Sequence, residues 1–142
     1  MLVSEILEQL HQGQLMMINS RKRNGLILIK PFHAEFAGPG SAIGGQFDRS
    51  SQEVIAVGDL SIGEPSSQEE RQKAFLIRRQ WIRLAQQITD NPDPSDRVRM
   101  ILKQFENYFT LGTVKAVPDE AFALLVGVLP RTVTRIRAEV GN

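Results

Sequence analysis

Arginine and threonine gather near the end of the chain in a pattern suited to reading a polyanion. Positions 130–139 hold Arg131, Thr132, Thr134, Arg135 and Arg137 around Val133 and Ile136. On a helix, Val133 and Ile136 fall one turn apart on one face, and residues 131, 134, 135 and 138 fall on the opposite one. An exposed arginine so held can grip a guanine edge with two hydrogen bonds, worth about 1–3 kcal/mol of discrimination against the wrong base. The plainer alternative is a solvated basic face. Charge is divided unevenly in the direction that recognition needs: the chain is +1 overall, but from Arg97 onward seven basic residues stand against four acidic ones, leaving −2 for the rest.

Other candidates for chemistry are weaker. His33 and Glu35 would put two ligands on one side of a strand, but a metal site needs more, and His11 belongs to another segment. His33 is expected to be a structural or surface histidine. The run Gly38-Pro39-Gly40-Ser41-Ala42-Ile43-Gly44-Gly45 has the glycine density of a phosphate loop without the closing Gly-Lys-Ser/Thr, so a flexible loop is expected. With no cysteine, disulfides, thiolate zinc sites and cysteine nucleophiles are excluded. No Ser-His-Asp set or paired carboxylates stand out. The expectation is not an enzyme, with no cofactor and no metal.

A recognition helix needs a scaffold that holds it out. Two short helices are expected at 118–126 and 130–139, joined by Gly127-Val128-Leu129. Ala123 is small enough to let the two backbones approach, Gly127 tolerates the positive φ of the turn, and Val128 plugs the gap beneath it. Pro130 opens the second helix where its missing N–H costs nothing. A third helix, capped by Ser95 and running to about Phe109, would bury Val98, Ile101, Leu102, Phe105 and Phe109. Residues 110–117 read as a connector. Asp90-Asn91-Pro92-Asp93-Pro94 separates this unit from what precedes it.

Ahead of that breaker, residues 66–89 read as the longest helix, opened by Ser67 and Glu70 at capping-box spacing. Ala74, Ile77, Trp81, Leu84 and Ile88 recur at spacings of three and four and make one apolar seam. Two partners suit it: the chain's own N-terminal sheet, or the same helix of a second copy in a homodimer. Phe75, Leu76 and Ile82 widen the face enough for both. The first 65 residues read as a short helix at 4–11, then apolar runs at 15–18 and 26–29 forming a β-hairpin through Asn24-Gly25, with Arg21, Lys22 and Arg23 at its tip. A Gly- and Pro-rich loop over 31–46 and strands at 54–57 and 60–62 complete the unit. The expected fold class is α+β: a small β-containing N-terminal unit (1–65), a long central helix (66–91) and a C-terminal trihelical helix-turn-helix domain (92–142).

Two segments, Arg97-Val98-Arg99-Met100-Ile101-Leu102-Lys103-Gln104-Phe105 and Ala123-Leu124-Leu125-Val126-Gly127-Val128-Leu129-Pro130-Arg131-Thr132-Val133-Thr134-Arg135, together resemble the DNA-binding domain of the cyclic-AMP-receptor (CRP/FNR) regulators. The likeness spans about 45 of 142 residues. It implies a transcriptional regulator that binds double-stranded DNA sequence-specifically, with Arg131, Thr134 and Arg135 in the major groove and Thr132 on a phosphate. It also implies that helix 66–89 holds the place of the family's dimerisation helix. Lys115 and Arg137 join the expected DNA-facing set, and Arg21, Lys22 and Arg23 could stand in for the family's C-terminal hairpin wing, which is not expected because residue 142 follows the recognition helix by three.

Departures from the family pattern narrow what it implies. Leu129 and Pro130 replace the usual Ser or Thr followed by Arg, and Arg131 replaces a common Glu, so base preference should differ. Pro118-Asp119-Glu120 opens the first helix of the motif without the usual Thr or Ser, and Leu124 is apolar where a polar residue is normal. The N-terminal unit is too short for the family's cyclic-nucleotide β-roll, and Gly63-Glu64 lacks its matching Arg-Ser/Thr, so no nucleotide is expected. The competing expectation is a protein–protein adaptor that uses Leu124, Leu129 and the long helix. Without a signal-peptide pattern or an apolar run of 18 residues, a cytoplasmic location with no membrane segment is expected.

Overall fold

The computed structural model describes residues 2–141, in the order α1 (Val3–His11), β1 (Met16–Ile18), β2 (Asn24–Ile29), β3 (Ala34–Ala37), β4 (Ala42–Ile43), a 3-10 turn (Gln46–Asp48), β5 (Glu53–Gly58), β6 (Ile62–Gly63), α2 (Gln68–Thr89), α3 (Pro94–Tyr108), α4 (Leu111–Ala116), α5 (Asp119–Val126) and α6 (Pro130–Val140). Among the described residues these make two small antiparallel sheets, ordered β4-β1-β6 and β3-β2-β5, with six α-helices, an α+β fold. None of the described helices is long and apolar enough to cross a membrane.

Strand β2 organises the molecule because its residues alternate between two cores. Leu26 and Leu28 enter one with Ile6, Leu10, Ile18 and Ile43. Ile27 and Ile29 enter a larger one with Phe36 of β3, Ile88 of α2, Phe105 of α3, Phe122 of α5 and Val133 and Ile136 of α6. The C-terminal helices therefore close their core against the N-terminal sheet, and segments 1–65 and 92–142 share one interior.

The expected hairpin between β1 and β2 does not form. Strand β1 pairs with β4 and β6, whereas β2 pairs with β3 and β5. Asn24-Gly25 lies inside β2 instead of turning the chain. Gly25 answers to packing: a Cβ there would lie 2.6 Å from the Phe36 ring. Asn24 is fully buried and ties the crossing between sheets. Its Nδ2 donates to the carbonyls of Asn19 (3.1 Å) and Lys22 (3.0 Å), and its Oδ1 accepts from the Ser61 N–H (2.9 Å). The glycines and prolines of 31–46 likewise punctuate two strands, β3 and β4, where a loop was expected.

Helix α2 begins as the sequence implies, with Ser67 Oγ accepting from the Glu70 N–H at 3.1 Å, although the Glu70 carboxylate returns to the Ser66 N–H (3.0 Å). The seam expected to face either a sheet or a second copy is largely filled from within the chain. Ala74 and Ile88 are buried, and Trp81 meets the rings of Phe36 and Tyr108, each at 5.1 Å between centroids. Ile77 lies over Gly40, and Leu84 is half-buried. Helix α3 is capped by Asp93, whose Oδ1 accepts from the Ser95 N–H at 2.9 Å, because Pro94 already occupies the first turn and moves the start back from Ser95. It buries Val98, Ile101, Leu102 and Phe105, and Phe109 just beyond its end is buried as well. The expected connector over 110–117 contains α4, started by Thr110, whose Oγ1 accepts from the Thr113 N–H at 3.3 Å.

Candidate functional site

Helix α5 stops at Gly127, which adopts φ 68° and ψ 45°, the left-handed conformation that glycine takes at least cost. The N–H of Val128 then closes on the Ala123 carbonyl at 3.0 Å, and Val128 itself is half-buried. Pro130 starts α6 two residues later, and Val133 and Ile136 are fully buried beside Ala123. Arg131, Thr134, Arg135 and Ala138 are exposed on the opposite face, as periodicity implies, while Thr132 is half-buried.

These exposed groups differ in what holds them. Arg131 has no partner among the described residues. Arg135 donates to Ser95 Oγ (2.7 Å) and lies 3.4 Å from Glu139, which also meets Arg99 of α3 at 3.4 Å. Exposed ion pairs of this kind contribute about 0–1 kcal/mol, so Arg135 is readily released to another partner. Thr134 turns its hydroxyl to Asp119 at the start of α5.

Arg137 corrects the expected DNA-facing set, for it is 7% exposed and points inward. It donates to the carbonyls of Val117 (2.6 Å), Val114 (2.9 Å) and Lys115 (3.3 Å) and to Asp119 Oδ1 (2.9 Å), with its guanidinium 5.0 Å from the centre of the Phe122 ring. The carbonyls lie at the end of α4, where a helix presents unpaired acceptors and partial negative charge. Arg137 is a clamp between α4, α5 and α6. Lys115 is exposed at the end of α4. Arg21, Lys22 and Arg23 are exposed on the crossing between β1 and β2, where the Arg21 N–H is held by Asn19 Oδ1 at 2.9 Å.

A second constellation went unseen in the sequence. Asp48, 1% exposed at its side chain, lies between Lys30 at the end of β2 and Arg78 in the middle of α2. Its Oδ1 accepts from Lys30 Nζ (2.9 Å) and Arg78 Nη2 (3.0 Å), and its Oδ2 from Arg78 Nη1 (2.9 Å) and the Gly44 N–H (2.8 Å). Glu35 of β3 closes the ring, 3.3 Å from Lys30 and 3.0 Å from Arg78. Burial alone would raise the Glu35 and Asp48 pKa values. The opposing hydrogen bonds and charges of His33, Arg78 and Lys30 hold Glu35 below its ordinary value, and those of Arg78 and Lys30 with the Gly44 N–H do the same for Asp48. Burial likewise disfavours the Arg78 cation, but Asp48 and Glu35 outweigh it and raise its pKa.

This cluster floors a cavity of about 510 Å³ walled in part by Phe47, Phe75 and Ile82. The backbone N–H of Gly44, a group that a phosphate loop would offer to a ligand, is spent on the chain's own Asp48. His33 Nε2 lies 2.9 Å from Glu35 Oε2, so the spacing of two does bring them together, yet Glu35 is committed to Lys30 and Arg78. Among the described residues no group of three or more His, Asp or Glu is arranged to hold a metal. One signal was available: Arg78 lies between Ala74 and Trp81, inside the apolar seam, and a charge there requires a buried partner. No protein-family model and no curated protein sequence matches the chain.

Proposed function

We propose that the chain is a sequence-specific regulator that binds double-stranded DNA through α6, acting as a helix-turn-helix with α5. The observation that carries this reading is the division of α6 into a buried face of Val133, Ile136 and Arg137 and an open face bearing Arg131 and Arg135. The left-handed Gly127 turn and the resemblance of residues 97–105 and 123–135 to CRP/FNR regulators support it. Arg131 is free and Arg135 weakly held, which suits groups that exchange water for a base edge. Lys115 and the half-buried Thr132 serve as backbone contacts. A second copy would supply the second half-site, with contacts other than the filled α2 seam.

The test is duplex binding measured against salt, because each neutralised phosphate steepens the fall of log K with log salt by about 0.9. Selected duplexes should bind with a steep slope, and Arg131→Ala/Arg135→Ala should weaken binding at least tenfold, since each base contact is worth about 1–3 kcal/mol. Undiminished binding by that variant would overturn the reading. Exposure of Phe32 (94%) and Leu129 (57%) favours a second reading, a protein–protein adaptor. It predicts no duplex affinity, and loss of a protein partner in Phe32→Ser/Leu129→Ser.

A further inference from the structure

The geometry points to a small-molecule site above the Lys30–Asp48–Arg78–Glu35 cluster, built for an organic acid with an apolar body. This inference stands apart from the DNA reading. The cavity, about 510 Å³, falls within the range of small-ligand sites. Its walls include Phe47, 80% exposed, Phe75, 38% exposed, and the half-buried Ile82, an apolar surface that a ligand would cover. Its floor offers little. Lys30 Nζ donates to the Phe47 carbonyl (2.6 Å) and Asp48 and pairs with Glu35, and both terminal nitrogens of Arg78 are matched by Asp48, Glu35 and the Ala42 carbonyl, while the buried Arg78 Nε has no hydrogen-bond partner among the described residues.

Two cations against two carboxylates leave the floor neutral, so the rim sets the sign. Arg79, exposed and without a partner among the described residues, stands there with Ser50 and His33, whose Nε2 is already taken by Glu35. The spare charge is positive and the spare surface apolar. A carboxylate or sulfonate on an aromatic or aliphatic body matches both, with its anionic group on Arg79 and its body against Phe47 and Phe75.

The probe is 1-anilinonaphthalene-8-sulfonate, titrated into the full chain and followed by fluorescence, with uncharged N-phenyl-1-naphthylamine as its comparison. The sulfonate should bind saturably at one site per chain, be displaced by decanoate, and bind about fivefold more tightly than the uncharged dye, as expected for one exposed ion pair. Arg79→Gln, at an exposed position, should abolish that preference without changing affinity for the uncharged dye. Phe75→Ala should weaken both dyes by about tenfold, through lost apolar contact. Circular dichroism should show each variant folded. Non-saturable binding, a preference for the sulfonate that survives Arg79→Gln, or binding lost in Leu129→Ser but kept in Phe75→Ala would each overturn the proposal.

Discussion

Two sets of arginines make the useful contrast in this molecule: Arg78 and Arg137, inside it, and Arg131 and Arg135, on the open face of α6. All four are helical and lie near apolar residues, so their neighbours in sequence look alike. They differ in what the rest of the fold brings to them. Arg78 meets Asp48 and Glu35 from other elements, and Arg137 meets the end of α4. Arg131 meets nothing among the described residues, and Arg135 has the half-buried Ser95 and the exposed Glu139. A buried cation with fixed partners serves the structure, whereas an exposed one with weak partners is left for another molecule.

The largest expected effect breaks the buried side of this contrast. Asp48→Ala leaves Lys30 and Arg78, each under 10% exposed, with Glu35 as their one shared anion and so one buried cation in excess. Leaving a buried charge unpaired costs about 3–5 kcal/mol, so the urea midpoint should fall steeply or the variant should fail to fold. Arg137→Ala comes next, because it uncovers carbonyls at the end of α4 and leaves Asp119 with Thr134 alone of these two donors. A loss of about 2–3 kcal/mol in urea unfolding is expected, since hydrogen bonds to a charged group contribute about 1.5–3 kcal/mol and the truncation also removes packing on Phe122. If Arg137→Ala instead left stability unchanged and weakened duplex binding, Arg137 would belong with Arg131 and Arg135.

Acid should act on the cluster more gently. Glu35 and Asp48 are held below their ordinary values in the folded chain, so the unfolded chain binds protons first as the pH falls. Their contribution is fully present above the ordinary carboxylate range and is lost as pH falls through the lowered folded values. Urea midpoints measured from pH 7 to pH 3 should therefore decline below about pH 4.5. Glu35→Gln removes one of the two responsible groups and should flatten the decline. An unchanged decline would assign acid sensitivity elsewhere.

The contrast also explains how much the sequence disclosed. Local periodicity and capping placed α2, α3, α5 and α6, the Gly127 turn, and the open face with Arg131 and Arg135, because those features depend on residues within a few positions of one another. It failed where distant residues decide. Asn24-Gly25 looked like a turn until Ser61 and Phe36 were brought beside it. The Ser95 cap was a local miss of a different kind, since Asp93 two residues earlier caps the helix through the Ser95 N–H. Arg137 lies four residues after the buried Val133 and shares its face, so a periodicity reading that had weighed position 137 would have turned it inward. The Asp48 cluster joins positions 30, 35, 48 and 78 across four segments, and no local rule connects them.

The smallest expected effect concerns Arg21, Lys22 and Arg23, assigned from the sequence to a hairpin tip that could touch phosphate. They are instead on a crossing whose backbone is fixed by Asn19, Asn24 and Ser61, on the side of β1 and β6. Helix α6 packs on α3 and α5. The loop is tied between the two sheets and not to α6, so it is not expected to follow a duplex held by α6. Changing all three residues to alanine should therefore leave the salt dependence of duplex binding unchanged, while Arg131→Ala/Arg135→Ala lowers the affinity. Three phosphate contacts from the loop would instead reduce the salt slope by about 2.7, roughly 0.9 for each, and that result would extend the open face from α6 to the β1–β2 crossing.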